Sequence, residues 1–302
     1  MESSINFFQN ENKNYYKNKN ILITGATGGI GTILVETLFS LGANLLLISH
    51  DEDKLKTKFF NLFNSKEDEE SVKSNNSSQL HFNSIDKIQY EILDLEDPKE
   101  INSKFPKCMK KLKAKLDVLF ICHGIYAKSS IKDCSKEKFD KVMNINVRSI
   151  FHILSLSVPF LKLTKGNCVI ISSMESFLPV KNGFLNTTSK AMINSLVQNS
   201  ALELSSFGVR INAVAPGITN TEHTNEKKDN DNYNIGNMWN NMDMNENKGE
   251  LFPLGKKILE PSNIVDTMLF LGSDEASFIT GEIIQNDRGY GINHDLSFTQ
   301  EG

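Results

Sequence analysis

Asn20-Ile21-Leu22-Ile23-Thr24-Gly25-Ala26-Thr27-Gly28-Gly29-Ile30-Gly31 sets how the rest of the chain is read. A short aliphatic run enters a glycine-rich turn, and a segment with helical apolar spacing (Ile33, Leu34, Thr37, Leu38, Leu41) leaves it. Strand, tight loop and helix follow in that order. Glycines remove the Cβ atoms that keep a bulky anion away from the backbone. The helix beyond offers unpaired N–H groups and a positive dipole end to a phosphate. Any sharp strand-to-helix turn also uses glycine, so this stretch alone leaves a phosphate cradle and a plain turn both open.

At 302 residues the chain is long enough for one large domain or two small ones. With 39% hydrophobic and 23% charged residues it has the make-up of an ordinary globular protein. A net charge of −4 gives no argument for a nucleic-acid surface. Cys108, Cys122, Cys134 and Cys168 show neither CxxC nor metal spacing, so free thiols in a reducing compartment and no metal are expected. No uninterrupted apolar run reaches the roughly 18 residues of a membrane span. Residues 1–20 lack the pattern of a secretory or mitochondrial leader. A cytoplasmic protein is the expectation.

Outward from the glycine turn, the rhythm of strand and helix repeats. Residues 1–19 are Asn/Lys-rich and are expected to be a disordered extension. Strands are predicted at 20–24, 44–48, 87–93, 117–122, 167–171, 209–215 and 282–286. Helices are predicted after the glycine turn and over 51–63, from Pro98 onward, 135–163, 183–206 and 261–271. Asp97-Pro98-Lys99-Glu100 is a strong helix start, with Asp at the N-cap and Pro at N1. Two polar stretches, near 64–86 and 220–250, read as surface insertions, the second with Met238, Trp239 and Met242 as its few apolar residues. Residues 291–302 read as a tail. Continuous aliphatic strands alternating with helices imply one α/β domain over 20–290: a doubly wound, Rossmann-like parallel sheet covered on both faces. In such a fold ligands gather at the carboxyl ends of the strands. Gly25–Gly31, Ser49-His50, Asp94, Gly124, Ser173 and Pro216-Gly217 all fall there.

With these residues placed, the sequence resembles the short-chain dehydrogenase/reductase family from about Asn20 to Tyr290. Thr24-Gly25-Ala26-Thr27-Gly28-Gly29-Ile30-Gly31 matches its T-G-x-x-x-G-I-G cofactor loop. Asp94-Leu95 is similar to its adenine-contacting pair, and Met143-Asn144-Ile145-Asn146-Val147 to the helix carrying its active-site Asn, here Asn146. Ile170-Ile171-Ser172-Ser173 is similar to the strand whose second Ser polarises the substrate oxygen. Asn212-Ala213-Val214-Ala215-Pro216-Gly217, with Ile218 and Thr221 beyond, is similar to the stretch that holds the nicotinamide amide. Residues 270–281 are close to its C-terminal signature.

The departures bear on function. Thirteen positions after the catalytic Ser the family carries the Tyr of Y-x-x-x-K; thirteen after Ser173 stands Asn186, in Asn186-Thr187-Thr188-Ser189-Lys190. The N-N-A-G of the fourth strand reads Ile121-Cys122-His123-Gly124, and the D-G-G near the end reads Asp287-Arg288-Gly289. The resemblance implies an NAD(P)-dependent oxidoreductase acting on a carbonyl, alcohol or enone, with Lys190 also on the cofactor ribose. An amide has no proton to give near neutral pH. Losing positioned acid–base catalysis of 10²–10⁴-fold costs about 3–5 kcal/mol of barrier stabilisation. A relayed water, a substitute such as Tyr126, or a cofactor-binding pseudoenzyme that turns nothing over all remain open. His123 reads as a strand-end filler rather than a base. At the end of the second strand the family's NAD users carry Asp and its NADP users Arg; Ser49-His50 has neither, which favours NADP. A small-molecule substrate is expected, with no nucleic acid or membrane partner. Relatives pair the helices holding Asn146 and Lys190, so a homodimer or homotetramer competes with intramolecular packing for Ile150, Phe151, Leu154, Ile193, Leu196 and Val197.

Overall fold

The structure is a computed structural model and describes residues 15–63, 87–221, 253–255 and 258–293. Seven strands form one sheet: β1 (Asn20–Thr24), β2 (Asn44–Ser49), β3 (Ile88–Ile92), β4 (Val118–Ile121), β5 (Asn167–Ile171), β6 (Arg210–Pro216) and β7 (Ile283–Asn286). Their order is β3-β2-β1-β4-β5-β6-β7, and every neighbouring pair is parallel. The described helices are α1 (Gly29–Ser40), α2 (Glu52–Lys58), α3 (Phe60–Phe63), α4 (Pro98–Lys111), α5 (Lys136–Met143), α6 (Ser149–Thr164), α7 (Phe184–Leu204) and α8 (Pro261–Gly272). Both polar insertions lie outside the described residues, apart from residues 220–221.

Alternation along the strands builds two cores at once, because successive side chains point to opposite faces. Ile21, Ile23, Leu45, Leu47, Val118, Phe120 and Val169 face α1 and α8. Leu22, Leu46, Leu119, Ile121, Cys168 and Ile170 face α4, α6 and α7. That is why the strands read as unbroken aliphatic runs. At the outer edge, Lys104 and Lys111 donate to the carbonyls of Ile92 and Tyr90, covering acceptors that β3 has no further strand to satisfy. The capping of α4 follows its sequence: Asp97 accepts from the Lys99 N–H at 2.8 Å and Pro98 sits at N1.

Two boundaries need correction. Residues 15–19 are part of the domain, not of a disordered extension. Tyr16 is fully buried, and its hydroxyl donates to the Leu269 carbonyl at 2.5 Å. A Cβ on Gly272 would stand 2.7 Å from that hydroxyl and 2.8 Å from the Phe120 ring, so the glycine makes room for the tyrosine. At the other end Asp287 Oδ2 accepts from the Gly291 N–H at 2.7 Å, so the ordered chain runs past 290. The continuous helical stretch Lys136–Thr164 is long and apolar enough to cross a membrane by length and composition. Here it lies on the sheet, burying Ile150, Ile153, Leu154 and Leu161 in the second core. Ile193 and Val197 are buried in that same core, while Phe151 is exposed.

The strand order reverses between β1 and β4, opening the crevice where a doubly wound fold receives its ligand. The glycine turn after β1 forms one wall of that crevice, and the loop after β4 forms the other.

Candidate active site

The glycine turn is shaped by close backbone approach. Gly25 has φ +68°, and a Cβ there would stand 2.6 Å from the His123 nitrogen, so the ends of β1 and β4 meet through this residue. A Cβ on Gly31 would lie 2.2 Å from the Gly25 carbonyl oxygen, which no side chain can accommodate. Gly28 is the N-cap of α1 and supplies no side-chain cap, leaving the N–H groups of the first turn for a ligand or water. Ile30 packs against the first core. A Cβ on Gly29 would meet Thr221 at 2.8 Å, which brings the segment after β6 over the turn. This is a cradle that only glycine permits, with an uncapped helix end behind it: the arrangement an anion requires.

Around it, the site residues named from the sequence divide into two groups. Thr27 Oγ1 lies 3.3 Å from Ser49 Oγ, and Ser49 is buried where it closes the end of β2. His50 is exposed. Asp51, next in line, uses Oδ1 to cap α2 by accepting from the Lys54 N–H at 2.8 Å. Asp94 is exposed, with its Oδ1 taken by the Glu96 N–H, and Leu95 is half-buried. Pro216 is buried, Gly217 donates its N–H to the Asn286 carbonyl, and the Ile218 carbonyl accepts from Leu259. These tie the loop after β6 to β7 and to the residues before α8.

The second group converges. Asn146 sits in a π-helical turn, Asn144–Arg148, between α5 and α6; such turns often mark functional sites. Its Oδ1 accepts from the Ile125 N–H at 2.8 Å, and its Nδ2 donates to the Ile125 carbonyl and to Ser189. It thereby pins the loop after β4 to α7. A Cβ on Gly124 would lie 3.4 Å from Asn146 Oδ1 and 3.6 Å from Lys190 Nζ, so three separate elements meet there. Lys190 is buried and donates to the Ile171 carbonyl at 2.9 Å. Burial lowers its pKa to about 8, partly offset by Cys122 and Glu175. Ser173 caps a 3-10 turn, Met174–Ser176, by accepting from the Glu175 N–H at 3.2 Å. Asn186 is buried, and its Nδ2 donates to Glu175 Oε2 at 2.7 Å.

His123 has a defined role. Ser149 Oγ donates its single proton to the Ile145 carbonyl, so the imidazole must donate Nε2–H to Ser149, at 2.6 Å. Nδ1 then accepts from the Thr24 hydroxyl at 2.7 Å. The ring is a neutral bridge across the crevice. Burial, reinforced by Lys190, pushes its pKa down to about 3.

Three contributors were not singled out from the sequence. Glu175 becomes a site residue because the 3-10 turn carries it back to Asn186. Ser189 receives Asn146, and Asn194 accepts from Ser172 at 2.6 Å while donating to Ser176. The available signal was spacing: Asn186, Lys190 and Asn194 recur every four residues and share one face of α7.

Known proteins resemble this chain over most of its length. The sequence model of a family described as Enoyl-(Acyl carrier protein) reductase matches residues 25–291. A tropinone reductase homolog of Arabidopsis thaliana is 28% identical over 273 residues, covering 90% of this chain and 75% of that protein. The 3alpha-hydroxysteroid dehydrogenase of Mediterraneibacter gnavus is 27% identical over 90% of this chain and 96% of its own length. Among solved structures, one titled "ElxO with NADP Bound" superposes with a TM-score of 0.72 at 23% identity, covering 90% of this chain and 98% of that one. The chain belongs to the short-chain dehydrogenase/reductase family of oxidoreductases.

Proposed function

We propose that this chain is an NAD(P)-dependent oxidoreductase acting on a carbonyl, alcohol or enone, with the proton-donor chemistry altered by Asn186. The observation that carries the reading is the meeting of Gly124, Asn146 and Lys190 beside the glycine cradle, at the ends of separate strands and helices. Gly25, Gly28, Gly29, Ile30 and Gly31 would hold the pyrophosphate, and Lys190 the nicotinamide ribose. Bound there, the cofactor supplies or removes a hydride at the substrate carbon. Ser173 binds the substrate oxygen: its Oγ accepts from Glu175, and its hydroxyl proton has no acceptor among the described residues. Lys190, held by the Ile171 carbonyl, keeps positive charge beside the developing oxyanion. Asn146 fixes the loop after β4 and α7 at a set separation.

NADP is the favoured cofactor. Ser49 and His50, which end β2, carry no carboxylate, and Asp51 Oδ1 is held by the Lys54 N–H at the start of α2, which supports room for a 2′-phosphate at the strand end. The four cysteines are free thiols, as a cytoplasmic setting allows. A second reading, a cofactor-binding protein without turnover, is favoured by one specific feature: the amide at Asn186 cannot titrate.

Fluorescence titration with NADPH and NADH, followed by NADPH consumption with small ketones, quinones and enones, separates these readings. Tighter NADPH binding with measurable consumption is expected. A tenfold preference for NADH overturns the cofactor choice. Saturable binding with no consumption across the panel selects the second reading, and failure to bind either dinucleotide removes both.

A further inference from the structure

Glu175 is a half-buried carboxylic acid at the reaction site with no part in the scheme above. It lies in the 3-10 turn directly after β5, two residues beyond Ser173. Its N–H donates to Ser173 Oγ at 3.2 Å, and its Oε2 accepts from Asn186 Nδ2 at 2.7 Å. Asn186 and Lys190 stand one helical turn apart on the same face of α7. The carboxyl group is thus bonded to the amide in the tyrosine's place, and the backbone N–H of the same residue is bonded to the serine expected to hold the substrate oxygen.

The character of its partner matters. An arginine would fix this carboxyl as an anion, whereas an amide bonds it without supplying charge. Burial raises its pKa above the ordinary carboxylate range, opposed by Asn186 and by Lys190. Lys190 is the titratable group acting on it. A carboxyl so placed holds a proton closer to neutral pH than a surface glutamate does, which is what a general acid requires.

We propose that Glu175 donates the proton to the substrate oxygen, beside Ser173, in the role that Asn186 cannot fill. The inference rests on the reductase reading above. In reduction, the carbonyl carbon accepts a hydride from a reduced nicotinamide dinucleotide and forms a C–H bond. The C=O π pair moves onto oxygen and takes the Glu175 carboxyl proton, forming O–H as the acid O–H breaks. Asn186 Nδ2 and the Lys190 charge stabilise the carboxylate that remains, which regains its proton from solvent. In the oxidative direction the same carboxylate accepts the alcohol proton.

The test compares wild type with Glu175→Gln, Glu175→Asp and Glu175→Gln/Asn186→Tyr. Gln preserves the acceptor for Asn186, so a purely structural role predicts unchanged kinetics. The proposal predicts a loss of about 10²-fold or more in kcat for Glu175→Gln, with NADPH affinity within about twofold of wild type. Glu175→Asp should keep partial activity, and the double variant should recover kcat. Wild-type kcat for reduction should fall as pH rises through the Glu175 pKa, and Glu175→Gln should lack that limb. A readout independent of turnover is ¹³C NMR of carboxyl-labelled glutamate: one resonance titrating above the ordinary range should vanish in Glu175→Gln. Active wild type with Glu175→Gln unchanged in kcat and pH profile overturns the proposal and leaves the reductase reading intact. Wild type that binds NADPH and reduces nothing overturns both.

Discussion

Lys190→Met is expected to stabilise the folded protein at pH 7 while lowering turnover by about 10²-fold. The ammonium group is buried, and its pKa is lowered from 10.5 to about 8, chiefly by loss of hydration. Lowering a pKa by 1 corresponds to about 1.4 kcal/mol, so keeping this charge folded at neutral pH costs about 3 kcal/mol. Methionine recovers that amount less about 1 kcal/mol for the lost bond to the Ile171 carbonyl. A net gain of about 2 kcal/mol follows. The direction with pH is fixed by proton counting. Between about pH 8 and 10.5 the unfolded chain carries a proton that the folded one has shed, so wild-type stability rises with pH across that window. The variant should be flat there. Denaturant melts at pH 7, 9 and 10.5 measure both effects. A variant that is less stable at pH 7 would show that the bond to Ile171 outweighs the cost of burying the charge. Stability given up at a reaction centre is the pattern expected where function, not folding, selects the residue.

His123 gives the second large effect, with its window on the acid side. Its pKa is lowered from 6.5 to about 3, by burial first and Lys190 second. As pH falls below 6.5 the unfolded chain takes up a proton that the folded one refuses. Stability therefore drops by about 1.4 kcal/mol per pH unit, reaching about 5 kcal/mol near pH 3. His123→Ala removes that loss but also breaks the bridge between Thr24 and Ser149, costing about 2 kcal/mol at pH 7.5. The two stability–pH curves should cross between pH 6 and 4. Parallel curves would mean that His123 is protonated in the folded protein, contrary to the tautomer fixed by Ser149. The effect concerns folding. A neutral ring with both nitrogens engaged has no proton to exchange with a substrate.

How much of this was legible beforehand depended on the range over which each residue acts. β5 was readable residue for residue, because an aliphatic run between a Gly and a Ser pair is a local pattern. The start of α4 was too, since Asp97 and Pro98 act within one turn. Tyr16 was not. It lies in an Asn/Lys-rich stretch without periodicity, and the Leu269 carbonyl it bonds is 253 positions away. The π-helical turn at Asn144–Arg148 was invisible inside a helical pattern that has no Gly or Pro from Lys136 to Val158. For the candidate site, family spacing singled out Ser173, Lys190, Asn146 and Asn186, and the structure places Asn146 and Lys190 together and bonds Ser173 and Asn186 to different groups of Glu175. Spacing said nothing of Glu175, because an acid after a strand is ordinary until a tight turn folds it onto α7. His123 gained its meaning only when two other hydroxyls, from β1 and α6, were found on its ring.

The central claim is that this chain moves a hydride rather than merely holding a dinucleotide. Incubating the protein with NADPH deuterated at nicotinamide C4 and the carbonyl and enone panel, then measuring products by mass spectrometry, tests it most directly. One deuterium per turnover is expected on the product carbon that was the carbonyl or enone acceptor. Unlabelled, unreacted substrate throughout, under saturating NADPH that the protein demonstrably binds, would contradict it.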